Sequence, residues 1–230
     1  MAEDIAANIR RIRERIAQAA ARAGRVPDDI KLMAVTKTVS PERAREAINA
    51  GIDLFGENYV QEAKGKIAAL GKNVKWHMIG HLQTNKAKYV VRLFDCVQSV
   101  DRIELARELD KRARLAGCKL NVLIEVNVSG EQSKSGVGAA DAPLLAKNVA
   151  SLENISVCGL MTMPPYFENP EEARPYFRAL RELAAQIDRA GIPGVSMKEL
   201  SMGMTDDFEV AIEEGATIVR VGRAIFGDRR

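Results

Sequence analysis

The sequence predicts an α/β fold: eight parallel strands closed into one (β/α)8 barrel, with an extra helix in front. Three observations carry this. Short apolar runs alternate with longer segments of helical period along nearly the whole chain, and strict alternation of that kind makes a parallel sheet. The strand candidates number eight, which favours a closed barrel over an open, doubly wound sheet. Punctuation falls where the alternation needs it: Ser40 stands before Pro41, and Gly51, Gly117, Gly191 and Gly215 follow helical segments.

Taken in order, residues 1–24 form the extra helix, with Ile5, Ile9, Ile12 and Ile16 on one side and Gly24 and Pro27 as its stop. Its arginines resemble those of a targeting peptide, but Glu3, Asp4, Glu14 and the lack of serine argue against one. The strands then run IKLMAVTK from Ile30, LFGEN from Leu54, VKWHMIG from Val74 and CVQSV from Cys96. They continue as LNVLIEVNV from Leu120, ISVCGLMTM from Ile155, MKELSMG from Met197 and TIVRVG from Thr217. Between them lie helices opening near Pro41, Tyr59, Thr84, Asp101, Ala139, Pro170 and Asp206. CVQSV is the weakest strand; if it is not one, an open α/β sheet becomes possible. No repeat and no Pro/Ser-rich linker interrupts the series, so residues 1–230 are read as one domain.

Strand parity assigns faces. In TIVRVG, Val219 and Val221 suit the helix layer, which turns Ile218, Arg220 and Gly222 inward. In LNVLIEVNV, Val122, Ile124, Val126 and Val128 suit the helix layer, which turns Glu125 and Asn127 inward. Met33, Val35 and Lys37 share one face of the first strand. The inward polar residues gather toward strand C-terminal ends, the rim where barrel enzymes place their sites.

Composition narrows the function. Apolar residues make up 47% and charged residues 28%, an ordinary globular balance. The net charge of +3 and 5% aromatics form no basic, ring-lined stripe, so nucleic acid is not expected as a partner. No run is long enough to span a membrane. Cys96, Cys118 and Cys158 form no CxxC pair, which suits reduced thiols and a cytoplasmic location.

Lys37, at the tip of a buried strand, is the first chemical candidate. A lysine amine attacks carbonyls once burial or nearby cations favour its neutral form; the structural alternative is a snorkelling side chain or a pair with Glu57. ELSMGMTDDFEVA is the second. Ser201, the Met202 and Gly203 amides and the following helix start suit a phosphate, as does Gly222 in RVGRAIFG. Arg220 is the third, an inward guanidinium needing an acceptor, either a carboxylate such as Glu125 or a ligand atom. HMIGH sets His77 and His81 four apart but lacks the glutamate and helix of a metal motif. SGEQSKSG is no P-loop, because Ser135 takes the place of the second glycine; its Lys134 is a candidate contact for an anion.

Together AVTKT, FGENYVQE, WHMIGHLQTNK, VNVSGEQSKSG, GLMTM and LSMGMTDDFEVAIEEGATIVRVGRAIFG resemble the pyridoxal phosphate homeostasis family, which is similar in fold to the alanine racemase N-terminal barrel. The resemblance covers nearly the whole chain. It implies that Lys37 holds pyridoxal 5′-phosphate (PLP) as a Schiff base, and that Asn58 and Met161 line the pocket. Ser201 and the Met202–Gly203 backbone would hold the phosphate, with backbone groups of Gly222 and Arg223, and Arg220 would face the pyridine nitrogen. Many members carry threonine where this chain has Arg223, a change that preserves a backbone contact but not a hydroxyl contact. The implied function is intracellular PLP homeostasis, with supply of the cofactor to PLP-dependent apoenzymes and no robust catalysis. The alternatives are a PLP-dependent, racemase-like enzyme and a barrel for another phosphorylated metabolite. The sequence ends soon after its last strand, so the resemblance implies a cofactor open on one side, without the second domain of the racemases.

Overall fold

The computed structural model describes residues 4–131 and 134–227. Residues 1–3 of the expected first helix, Gln132 and Ser133 of the SGEQSKSG loop, and residues 228–230 lie outside the described residues. After helix α1 (Ile5–Arg22) the chain alternates through β1 (Lys31–Val35), α2 (Pro41–Asn49), β2 (Leu54–Glu57), α3 (Val60–Leu70), β3 (Lys75–Met78), α4 (Ala87–Leu93), β4 (Cys96–Val100), α5 (Ile103–Ala116) and β5 (Leu120–Asn127). It continues with β6 (Val137–Gly138), α6 (Ala142–Ala150), β7 (Ile155–Met161), α7 (Arg174–Arg189), β8 (Val195–Ser201), α8 (Phe208–Glu213), β9 (Ile218–Val221) and α9 (Arg223–Phe226).

Parallel pairing runs β1–β2–β3–β4–β5–β7–β8–β9 and returns from β9 to β1. The sheet is therefore a closed eight-stranded parallel barrel, and CVQSV is the strand that closes it against β5, through an irregular register between Val97 and Val100. Two short elements differ from the sequence reading. β6 pairs with β5 outside the barrel circuit, and α9 follows the last strand. At two and four residues, neither is long enough to show a period.

The faces follow parity. Val122, Ile124, Val126, Val219 and Val221 belong to the large core between barrel and helices, with Val128 packed against it. Two small apolar clusters fill the barrel itself: Met33, Leu54, Ile79 and Ile218 with Val35, and Cys96, Leu123 and Met161 with Cys158. They share the barrel interior with the polar inward residues: Met33 is the register partner of Arg220, and Met161 and Ile218 are those of Ser201.

The N-terminal helix forms for the reasons its pattern gives. The Asp4 side chain accepts from the Ala7 amide at 2.9 Å and caps it, while Ile5, Ile9, Ile12 and Ile16 are all buried. It lies against α2, α8 and α9. Arg15 sits over the Phe208 ring at 4.6 Å, and Arg15 and Arg22 pair with Glu209 and Glu213. The helix that follows the ELSMGM loop is thus braced from outside. Asp206 was expected to open α8; Asp207 holds that flanking position instead, with its Oδ1 accepting from the Met204 amide at 2.5 Å.

Candidate functional site

All eight barrel strands are parallel, so their C-terminal ends share one rim. Lys37 is half-buried in the turn directly after β1. β1 lies between β2 and β9, which sets that turn between the segment carrying Asn58 and the segment carrying Gly222. Met161, Ser201 and Ile218 are direct register partners across β7, β8 and β9, and Glu125 continues the same row on β5. Arg220 stands two residues further up β9. Residues far apart in the chain are brought together by register alone.

A polar network crosses this level. Arg220, only 3% exposed, donates from Nη1 to Ser201 Oγ at 2.8 Å and from Nη2 to the Thr162 carbonyl at 2.8 Å. Ser201 Oγ in turn donates to Gln98 Oε1 at 2.6 Å, and Gln98 Nε2 meets His77 Nδ1 at 2.9 Å. Since the amide nitrogen can only donate, His77 Nδ1 accepts and its proton belongs on Nε2. Burial agrees with that neutral ring by pushing the His77 pKa down to about 3. Burial also lowers Arg220, to about 10, against the pull of Asp207 and Glu125. Arg220 remains a cation at neutral pH, held by neutral acceptors.

The sequence offered Glu125 as the partner of Arg220, and the structure does not form that pair. Glu125 is 3% exposed, and its Oε2 has no hydrogen-bond partner. Burial raises its pKa to about 7, with Asp101 adding to the rise and Arg220 opposing it. Asn127, also expected to point inward, instead folds its own turn: Oδ1 accepts from Ser129 Oγ and the Gly130 amide, and Nδ2 donates to the Glu131 carbonyl. Glu57 is taken by Lys66 and Thr36.

Two glycine turns, at Gly203 and Gly222, border this rim. Gly203 has φ +91°, and a Cβ there would come within 2.5 Å of Ala211 Cβ, so only glycine lets the loop lie flat on α8. The Met202 side chain belongs to the helix-layer core and its amide donates to the Ile218 carbonyl at 3.1 Å, so that amide is committed to the sheet. Among the described residues, no backbone carbonyl takes the Gly203 or Gly222 amide. Arg223 reaches outward to Asp206 at 2.6 Å and links the two turns. Asn58 presents a buried Oδ1 without a partner, and its backbone lies so close to Gly80 that a Cβ there would meet Asn58 O at 2.4 Å. An orphaned buried acceptor, two available amides and a buried cation fit a ligand that carries both an anionic group and a hydrogen-bond donor.

His77 and His81 diverge. His77 faces the interior network, whereas His81 is about half exposed and lies 3.8 Å from Asp101. Among the described residues, no group of three or more His, Cys, Asp or Glu could hold a metal ion. Lys134 Nζ lies 3.5 Å from the Met163 carbonyl and joins the loops after β5 and β7. Gln98 and Thr162 were missed by the sequence reading; the inward parity of Gln98 within CVQSV was the available signal.

The chain matches the family described as alanine racemase, N-terminal domain, over residues 3–230. It is 50% identical over 221 residues to the pyridoxal phosphate homeostasis protein of Aquifex aeolicus strain VF5, covering 96% of both chains. The structure of PipY from Synechococcus elongatus PCC7942 with PLP bound is similar at TM-score 0.81 and 35% identity, over 92% of this chain and 100% of that one. Alanine racemase from Corynebacterium glutamicum shares the fold at TM-score 0.71 and 18% identity, over 98% of this chain and 61% of that one.

Proposed function

Because the chain belongs to the pyridoxal phosphate homeostasis family, with the fold of the alanine racemase N-terminal domain, we propose that it binds PLP through Lys37 and serves the homeostasis of that cofactor. The observation that supports this most is the convergence, on one rim, of the Lys37 turn, the buried Arg220 cation and the Gly203 and Gly222 amides. PLP brings an aldehyde, a phosphate dianion and a pyridine nitrogen. The Lys37 amine is the covalent anchor. The Gly203 and Gly222 amides and the Arg223 backbone receive the phosphate, and Asn58 and Met161 border the ring.

Ser201 acts chiefly by holding Arg220 in place, since its hydroxyl bridges Arg220 and Gln98. Arg220 donates only. It cannot accept a proton from a ring nitrogen, and its charge opposes protonation there. A pyridine nitrogen kept unprotonated is a weaker electron sink. This supports a protein that binds and releases the cofactor for PLP-dependent apoenzymes and does not turn amino acids over efficiently.

Titration with PLP tests the reading. Wild type should develop the visible band of lysine-bound cofactor, and Lys37→Ala should not. Prolonged incubation of the loaded protein with single amino-acid enantiomers, read by chiral chromatography, should leave each enantiomer essentially unchanged. Rapid racemisation would favour an enzyme over a carrier.

A further inference from the structure

The turn that carries Lys37 is gripped by a buried ion cluster that has no part in the proposed cofactor contacts. Lys66 on α3 is 5% exposed and pairs with fully buried Glu57 at 2.7 Å. Its Nζ also donates to the Thr36 carbonyl and lies 3.5 Å from Glu62 Oε2. The two carboxylates hold the same turn from either side: Glu57 Oε1 accepts from Thr36 Oγ1 at 2.5 Å, and Glu62 Oε2 accepts from the Thr38 amide at 2.9 Å. Thr36 and Thr38 are the residues on either side of Lys37. The backbone is fixed as well, through Thr36 N–H to the Gly56 carbonyl at 3.1 Å and Val39 N–H to the Thr36 carbonyl at 3.0 Å.

Stability alone does not account for this cluster. A buried ion pair is on balance no more stabilising than well-packed apolar residues, because both charges lose their hydration. Here one carboxylate oxygen, Glu57 Oε2, is left without a partner. The turn is also strained: Thr38, a β-branched residue, sits at φ 64°, the one positive-φ residue other than glycine among those described. Such a conformation persists only where its surroundings over-determine it. The polar contacts of the cluster converge on the two neighbours of one lysine.

We propose that Lys66, with Glu57 and Glu62, is a positioning device that fixes the chain through Thr36 and Thr38 and so presents the Lys37 amine to the barrel mouth in one place. This rests on Lys37 being the cofactor anchor. The cluster touches no cofactor; it acts through the turn.

The test uses the full chain, with PLP as the probe. Glu62→Ala removes the hold on Thr38 at a partly exposed carboxylate, and Glu57→Gln with Lys66→Met removes the buried pair without orphaning a charge. Each is compared with wild type for apparent PLP affinity, for the rate of borohydride-trapped adduct on the Lys37 peptide, and for melting temperature. Arg178→Ala, which removes an exposed arginine from the distant pair with buried Glu214, serves as a variant that disturbs stability alone. Measured well below melting, both cluster variants should bind PLP about tenfold more weakly and label Lys37 correspondingly slower, whereas Arg178→Ala should do neither. Folded cluster variants with wild-type affinity and labelling rate would overturn the proposal and leave the cluster a structural pair. If the buried double variant fails to fold, Glu62→Ala decides. If wild type itself places no adduct on Lys37, the anchor assignment fails, a result distinct from failure of the cluster.

Discussion

Glu125 is a residue whose chemistry the fold visibly disturbs. It is buried beside a buried arginine without bonding it, and its pKa rises from 4.5 to about 7. Between those values the folded protein holds a proton that the unfolded chain has released. Stability contributed by this group is therefore full below about pH 4.5 and is lost as pH rises toward 7. Glu125→Gln removes the titration. Thermal melts of the cofactor-free protein from about pH 5 to about pH 8 should show the variant gaining on wild type by roughly 2–4 kcal/mol across that range. A constant difference would mean Glu125 titrates normally. At this scale the sequence was informative about direction and poor about partners. Parity turned Arg220 and Glu125 inward, as their burial agrees, but two inward charges need not pair. Arg220 found a hydroxyl and a carbonyl instead, and only coordinates could reveal that Gln98 completes the network.

At the scale of elements, the loop between β8 and α8 and the helix α1 carry separate predictions. Gly203→Ala would put a methyl 2.5 Å from Ala211 Cβ at a backbone with φ +91°. It should cost on the order of 1–3 kcal/mol, lower the melting temperature by several degrees and weaken PLP binding. Calorimetry and PLP titration read both. Ile9→Ala, at a fully packed position of α1, should cost about 2–5 kcal/mol in denaturant unfolding while leaving PLP affinity near wild type. Long amphipathic elements were legible because their period is repeated many times. β6 and α9 were not, because two and four residues do not repeat a period. A strand end read from sequence does not show whether the next amide still belongs to the ladder; the Met202 amide does, through the Ile218 carbonyl.

For the whole molecule, the decisive property is closure. Because β4 pairs with β5 and β9 pairs with β1, the ends of all eight barrel strands face one mouth, and a lysine after the first strand shares that rim with glycine turns after the last two. CVQSV, the least convincing strand, is what makes this possible. Eight units of alternation suggested the barrel, but the register that aligns Glu125, Met161, Ser201 and Ile218 is a property of the closed sheet and of no segment of sequence. The central claim, that this mouth exists to hold PLP on Lys37, is tested most directly by borohydride reduction of the PLP-loaded protein followed by peptide mass mapping. The expected result is a single pyridoxyl adduct on the peptide containing Lys37. Loss of specificity, with adducts spread over surface lysines and none on Lys37, would contradict it.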